Sequence, residues 1–99
     1  MNMDSTGVDL DELPVGALLD VETTNTVYHI ENRGDGDVLI SGHPDICPRP
    51  VPVNFRGSIG PSTLKLHFIE RNLRMEFFHP QRGIVRTSRV TDIHALNAA

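Results

Sequence analysis

The sequence predicts an all-β protein, a small barrel or two packed antiparallel sheets of about seven short strands closed by a short C-terminal helical turn. Three observations lead there. Apolar residues recur at every second position in short runs, turn residues interrupt those runs every eight to twelve positions or so, and the aromatic inventory is four Phe, one Tyr and no Trp. Such an inventory suits the interior of a small barrel, filled by aliphatic side chains with Phe55, Phe68, Phe77 and Phe78 as the candidate rings.

Residues 1–12 read as a flexible acidic leader, 13–96 as one β-barrel-like domain and 97–99 as a tail. Leu13-Pro14-Val15-Gly16 makes a turn leading into the first strand, Ala17 to Thr23, with Leu19 and Val21 pointing inward. The clearest local signal is Thr26 to Gly42, two strands around a glycine-bracketed turn. A three-residue loop Gly34-Asp35-Gly36 sets Arg33 opposite Asp37, Asn32 opposite Val38 and Ile30 opposite Ile40, and gathers Tyr28, Ile30, Val38 and Ile40 on one face. A two-residue Asp35-Gly36 turn would instead set Ile30 against Ser41 and Asn32 against Leu39, mixing polar and apolar groups on one face, so the longer loop is preferred.

His43 to Pro52 contains four prolines and reads as a stiffened crossover between strands, or as a binding loop. Val51, Val53 and Phe55 alternate with polar neighbours up to Gly57, and Ser58 to Ser62 makes a turn. Leu64, Leu66 and Phe68 are expected inside, with Lys65 and His67 on the outer face. Leu73, Met75 and Phe77 alternate with Arg74, Glu76 and Phe78, and Ile84 to Ser88 forms a last strand with Val85 and Thr87 on one face. Val90, Ile93, Ala95 and Leu96 then fall at partly helical spacing.

Thr24-x-Thr26-x-Tyr28-x-Ile30, Ile40-Ser41-Gly42, Gly57-Ser58 and Arg86-Thr87-Ser88-Arg89-Val90 together resemble short uncharacterised bacterial proteins that pair a T-x-N-S-x-Y-like opening with a T-S-x-V-like ending. The likeness covers most of residues 13–93, with Thr26 where serine is usual. It implies a bacterial origin and a small β-fold of the SH3-like or Sm-like barrel kind. No activity and no functional residue are transferred by it.

The single Cys47 cannot form an internal disulfide and, with no apolar leader ahead of it, suggests the cytoplasm. No apolar run is long enough to span a membrane as a helix. The net charge of −4 conceals a division at Pro48: ten acidic groups and one basic group up to that residue, then eight basic and three acidic groups. If the fold interleaves them, the charges only keep the surface soluble. If it segregates them, a basic face built from Arg56, Lys65, His67, Arg74, Arg86 and Arg89 would bind an anion or a nucleic acid.

A zinc site would have to draw on His43, Cys47, His67 and His79, but their spacing matches no established pattern, and no cofactor is expected. Nor does the sequence around Cys47 supply a base, an orienting acid and an oxyanion hole together. Gly57-Ser58-Ile59-Gly60 lacks the spacing of a phosphate loop or a nucleophile elbow and reads as a turn. The expected function is therefore non-enzymatic: a binding or interaction module, homo-oligomeric or accessory to another macromolecule. A small-anion or nucleic-acid binder is the alternative, and a metal- or thiol-dependent enzyme the third.

Overall fold

Asp35 and Gly36 form the turn of the central hairpin, both with positive φ (53° and 82°), as a type I′ turn requires. The computed structural model describes residues 7–96, and in it Gly34 pairs with Asp37 while Asn32 pairs with Val38 and Ile30 with Ile40. The expected register is therefore present, but the expected loop is not. Arg33 does not face Asp37; it is bulged out of the ladder, and that extra residue lets a two-residue turn coexist with the apolar pairing.

The strands are β1 (Gly7–Asp9), β2 (Leu18–Thr23), β3 (Val27–Gly34), β4 (Asp37–Ser41), β5 (Val51–Gly60), β6 (Thr63–Leu66), β7 (Phe68–Glu70), β8 (Arg74–His79) and β9 (Gly83–Leu96), with a 3₁₀ turn at Leu10–Glu12. The main sheet runs β4-β3-β2-β9-β8-β5-β6, and β4 also pairs with β5. That second pairing joins β2, β3, β4, β5, β8 and β9 into a closed antiparallel ring, which leaves β6 as a side arm on β5. Closure removes the open edges that an isolated sheet would carry. Leu19, Val21, Tyr28, Ile30, Val38, Ile40, Phe55, Met75 and Phe77 fill the interior, each at most 3% exposed.

Further expectations fail: the turn expected from Ser58 to Ser62 shrinks to Pro61 and Ser62, because β5 runs on through Gly60 with Ser58 paired to both β6 and β8. Residues 7–12 are not a loose leader: Val8 pairs with Ile69, and Val8 and Leu10 are buried in the common core. The remainder of that leader, residues 1–6, and the tail 97–99 lie outside the described residues.

The alternation Leu64, Leu66, Phe68 does not run inward, because His67 adopts φ 56° and reverses the phase. Leu64 and Leu66 are exposed, Phe68 is half-buried, and Ile69 is the residue that enters the core. Phe78 likewise points outward.

The C-terminal helical turn is replaced by strand. Val85 and Thr87 are buried at a spacing of two, but Val90 and Ile93 follow at spacings of three. The β8–β9 ladder pairs Glu76 with Arg86 and Arg74 with Arg89, two residues against three; β2–β9 pairs Glu22 with Asp92 but Thr23 with Val90. Two bulges thus create a helix-like apolar spacing within an extended strand.

Asn32 anchors the N-terminal segment to the ring. Although it is 2% exposed, its Nδ2 donates to the carbonyls of Leu10, Leu13 and Pro14, and its Oδ1 accepts from the Gly34 amide. No helix among the described residues is long and apolar enough to cross a membrane.

Candidate anion-binding wall

The outer surface of β5, β8 and β9 is organised in three levels by cross-strand register. Asn54, Phe78 and Ile84 share the first, Gly57, Glu76 and Arg86 the second, and Ile59, Arg74 and Arg89 the third. The bulge in β5 falls at Arg56, between the Phe55–Phe77 and Gly57–Glu76 pairs, and brings that guanidinium to the second level. The bulge in β9 has a similar effect. Val85 and Thr87 point inward, so unbroken alternation would send Arg89 inward too; the extra residue turns it out and lets Val90 enter the core. Thr87 secures this geometry, its Oγ1 accepting from the Met75 amide at 3.0 Å and donating to the Ser88 carbonyl at 2.6 Å.

At the second level, Glu76 is held between two cations. Arg56 Nε lies 2.8 Å from Oε2 and Arg86 Nε 2.8 Å from Oε1, and the carboxylate is 5% exposed. Both guanidiniums remain substantially open to solvent. At the third level, Arg74 and Arg89 face each other without an ion pair to any described residue. Phe78 and Ile84 are 50% and 56% exposed and add apolar surface at the other end of the wall.

Of the six residues nominated from the sequence, four therefore converge: Arg56, Arg74, Arg86 and Arg89. Lys65 and His67 do not join them. Lys65 is bonded to Glu70 and lies over the Phe68 ring, while His67 Nδ1 lies 2.9 Å from Asp11 Oδ1. Across the ring, the outer faces of β2 and β3 carry Asp20, Glu22 and Glu31; Asp20 meets His29, and Glu22 meets His94, each at 2.7 Å. Glu31 is paired with Arg33, so the arginines of the second half of the sequence gather on one wall while the carboxylates of β2 and β3, each with a basic partner, lie on the other.

No protein-family model, curated protein or solved structure matches this chain.

The four residues considered for metal do not gather at one point. His43 Nδ1 accepts from the amides of Asp45 and Ile46, which leaves it a local cap of the proline-rich loop. His79, buried, accepts at Nδ1 from the Gln81 amide and so carries its proton on Nε2, which donates to the Ile46 carbonyl. Cys47 is fully buried in the core, and burial pushes its thiol up. The same desolvation, with the nearby thiol, raises the Tyr28 phenol to about 12.

Among the described residues, the one group of three candidate metal ligands within mutual reach is Glu22, Asp92 and His94, which the sequence did not single out. His94 Nε2 already lies between the two carboxylates. Asp92 also meets Arg71 at 3.2 Å, and its carboxyl is held low by the Ile93 amide and by Arg71. These contacts account for the cluster as ion pairs.

Glu76 and Phe78 also belong to this surface, although neither is among the residues that the sequence nominates. The alternation puts both on the face of Arg74, but an apolar inventory assigns Phe78 to the core.

Proposed function

We propose that this chain is a non-catalytic binding module of the cytoplasm whose working surface is the outer wall of β5, β8 and β9, and that its partner is a single-stranded nucleic acid. The observation that carries the reading is the segregation of charge: four arginines against one carboxylate on that wall, with acidic side chains across the ring. A net charge of −4 does not oppose it, because a polyanion responds to the local field, and the acidic wall directs it away from the wrong side. A strand suits the surface better than a duplex. The wall offers an exposed Phe78 ring for stacking, and the described residues contain no helix to enter a major groove. The single unpaired cysteine suits a reducing compartment.

Fluorescence anisotropy with labelled single-stranded DNA and RNA tests this. Binding that salt weakens, and that Arg56→Gln and Arg86→Gln each reduce, supports the reading; no binding at low ionic strength ends it. A second reading, self-association, draws on the same two walls, since the acidic wall of one copy complements the arginine wall of another in a head-to-tail contact. Light scattering that shows a multiple of the chain mass at low salt and the single chain at high salt would favour it.

A further inference from the structure

We infer that the notch between Arg74 and Arg89 is a seat for a phosphate monoester, the terminal phosphate of a bound strand. The inference rests on the arginine wall being the binding surface and assigns one end of it a specific task.

Like charges placed directly opposite on neighbouring strands repel, and antiparallel sheets ordinarily avoid them. Here the pairing is constructed rather than incidental: Arg89 faces outward only because of the β9 bulge, and the bulge is held by two hydrogen bonds of the buried Thr87. Five other cations are neutralised locally, Arg56 and Arg86 by Glu76, Lys65 by Glu70, Arg71 by Asp92 and Arg33 by Glu31, while Arg82 donates to the Asp45 carbonyl and Arg49, like Arg74 and Arg89, has no ion pair among the described residues but lies apart in the proline-rich loop. Arg74 and Arg89 meet no counter-charge among the described residues.

The two side chains line a cavity of about 270 Å³ together with Gly60, Pro61, Asn72 and Leu73. Gly60 ends β5, Pro61 lies in the β5–β6 connection and Asn72 and Leu73 lie in the β7–β8 connection, so the cavity is bounded at the end of the wall away from Phe78. Its floor is rigid. Asn72, at φ 72°, donates its amide to the Val90 carbonyl at 2.8 Å, and the Val90 amide donates to the Leu73 carbonyl at 2.9 Å, which ties the turn to the residue beside Arg89.

Two guanidiniums supply two positive charges and several directed N–H donors, which match the charge and tetrahedral oxygens of a phosphate dianion better than those of a monoanionic diester or a carboxylate. A bounded cavity accommodates an end group more readily than the middle of a chain. Inorganic phosphate or a small phosphomonoester would offer the same chemistry as a strand terminus, and the experiment separates these sources.

One arm measures the anisotropy of a single oligonucleotide with and without a terminal phosphate; the other follows amide NMR shifts of the full chain on addition of inorganic phosphate. The expected result is about tenfold tighter binding of the phosphorylated strand. Arg74→Gln or Arg89→Gln should abolish that preference, whereas Arg56→Gln should weaken both strands equally. Phosphate should shift the amides of Asn72, Leu73, Arg74 and Arg89, and should raise the denaturation midpoint of the natural chain but not of Arg74→Gln. Since both arginines are exposed and repel each other, neither variant should lose stability.

If both strands bind equally and phosphate shifts nothing, the seat is overturned while the wall stands. If phosphate shifts those amides but neither strand binds, the seat holds for a small phosphate and the nucleic-acid reading falls. If neither probe binds, both fall.

Discussion

Arg86 and Glu76 lie directly opposite each other across the β8–β9 ladder, with Nε 2.8 Å from Oε1, while the other oxygen of the same carboxylate is taken by Arg56. One desolvated carboxylate therefore links β5, β8 and β9, and it leaves both guanidiniums partly presented to solvent. It is a structural brace and also the main electrostatic competitor of any anion on that wall.

Replacing Glu76 with Gln should separate these roles. Breaking a buried ion pair costs about 3–5 kcal/mol, but the arginines are 44% and 60% exposed, so solvent screening reduces the expected loss to about 1–2 kcal/mol in a urea titration. Strand affinity should rise several-fold in the same variant. Weaker binding would contradict the proposed role of the wall.

Salt should act on binding in proportion to the arginines engaged. With four arginines and one carboxylate on the wall, log Kobs should fall against log salt with a slope of about −2 to −3. Arg86→Gln should make that slope shallower by about 0.7. A slope near zero would place the interaction somewhere other than on phosphates.

Gly57 permits the β6 arm to approach β5. A Cβ there would stand 2.0 Å from the Lys65 carbonyl oxygen, at φ 147°, so Gly57→Ala should cost about 3 kcal/mol in chemical denaturation. Gly83→Ala, at φ 74° with nothing within 4 Å, should cost only about 1 kcal/mol. Equal costs would mean that steric approach is not what requires glycine at Gly57.

Asn32→Ala should release the N-terminal segment. It removes the donor shared by three carbonyls, at a cost of about 2–3 kcal/mol, and should accelerate amide exchange over residues 10–17 more than in β8. Unchanged exchange there would show that Leu10 and Val8 hold the segment by packing alone.

Alkaline pH should destabilise the fold through Tyr28 and Cys47. Folding raises both groups, so the native state retains protons that the unfolded chain has lost. Their contribution is complete below the ordinary thiol and phenol values and disappears as pH rises through the folded ones. For Tyr28 the window runs from about 10 to about 12 and involves about 3 kcal/mol. Denaturation midpoints measured across that range should fall, and Tyr28→Phe should flatten the upper part of the decline.

The central hairpin and the β9 strand mark the boundary of what local pattern reveals. Ile30 opposite Ile40 was legible because the pairing keeps four apolar side chains on one face, and a slip would expose them. The bulge at Arg33 was not legible, since it leaves that pairing intact while changing the turn. In β9, bulges at two places converted an extended strand into an apolar spacing of three, which reads as helix. At His67, a positive φ inverted the pleat and exchanged Phe68 for Ile69 in the core.

The amino-acid sequence by itself determined that this protein is built from short extended segments with one apolar face, and that Arg56, Arg74 and Arg86 lie on polar faces. Only the tertiary structure decided that β4 meets β5 to close the ring, that a bulge turns Arg89 onto the wall of those three arginines, and that Arg74 faces Arg89 without a counter-charge among the described residues. Alternation is a property of neighbouring residues, whereas closure and bulges depend on hydrogen bonds between segments far apart in the chain.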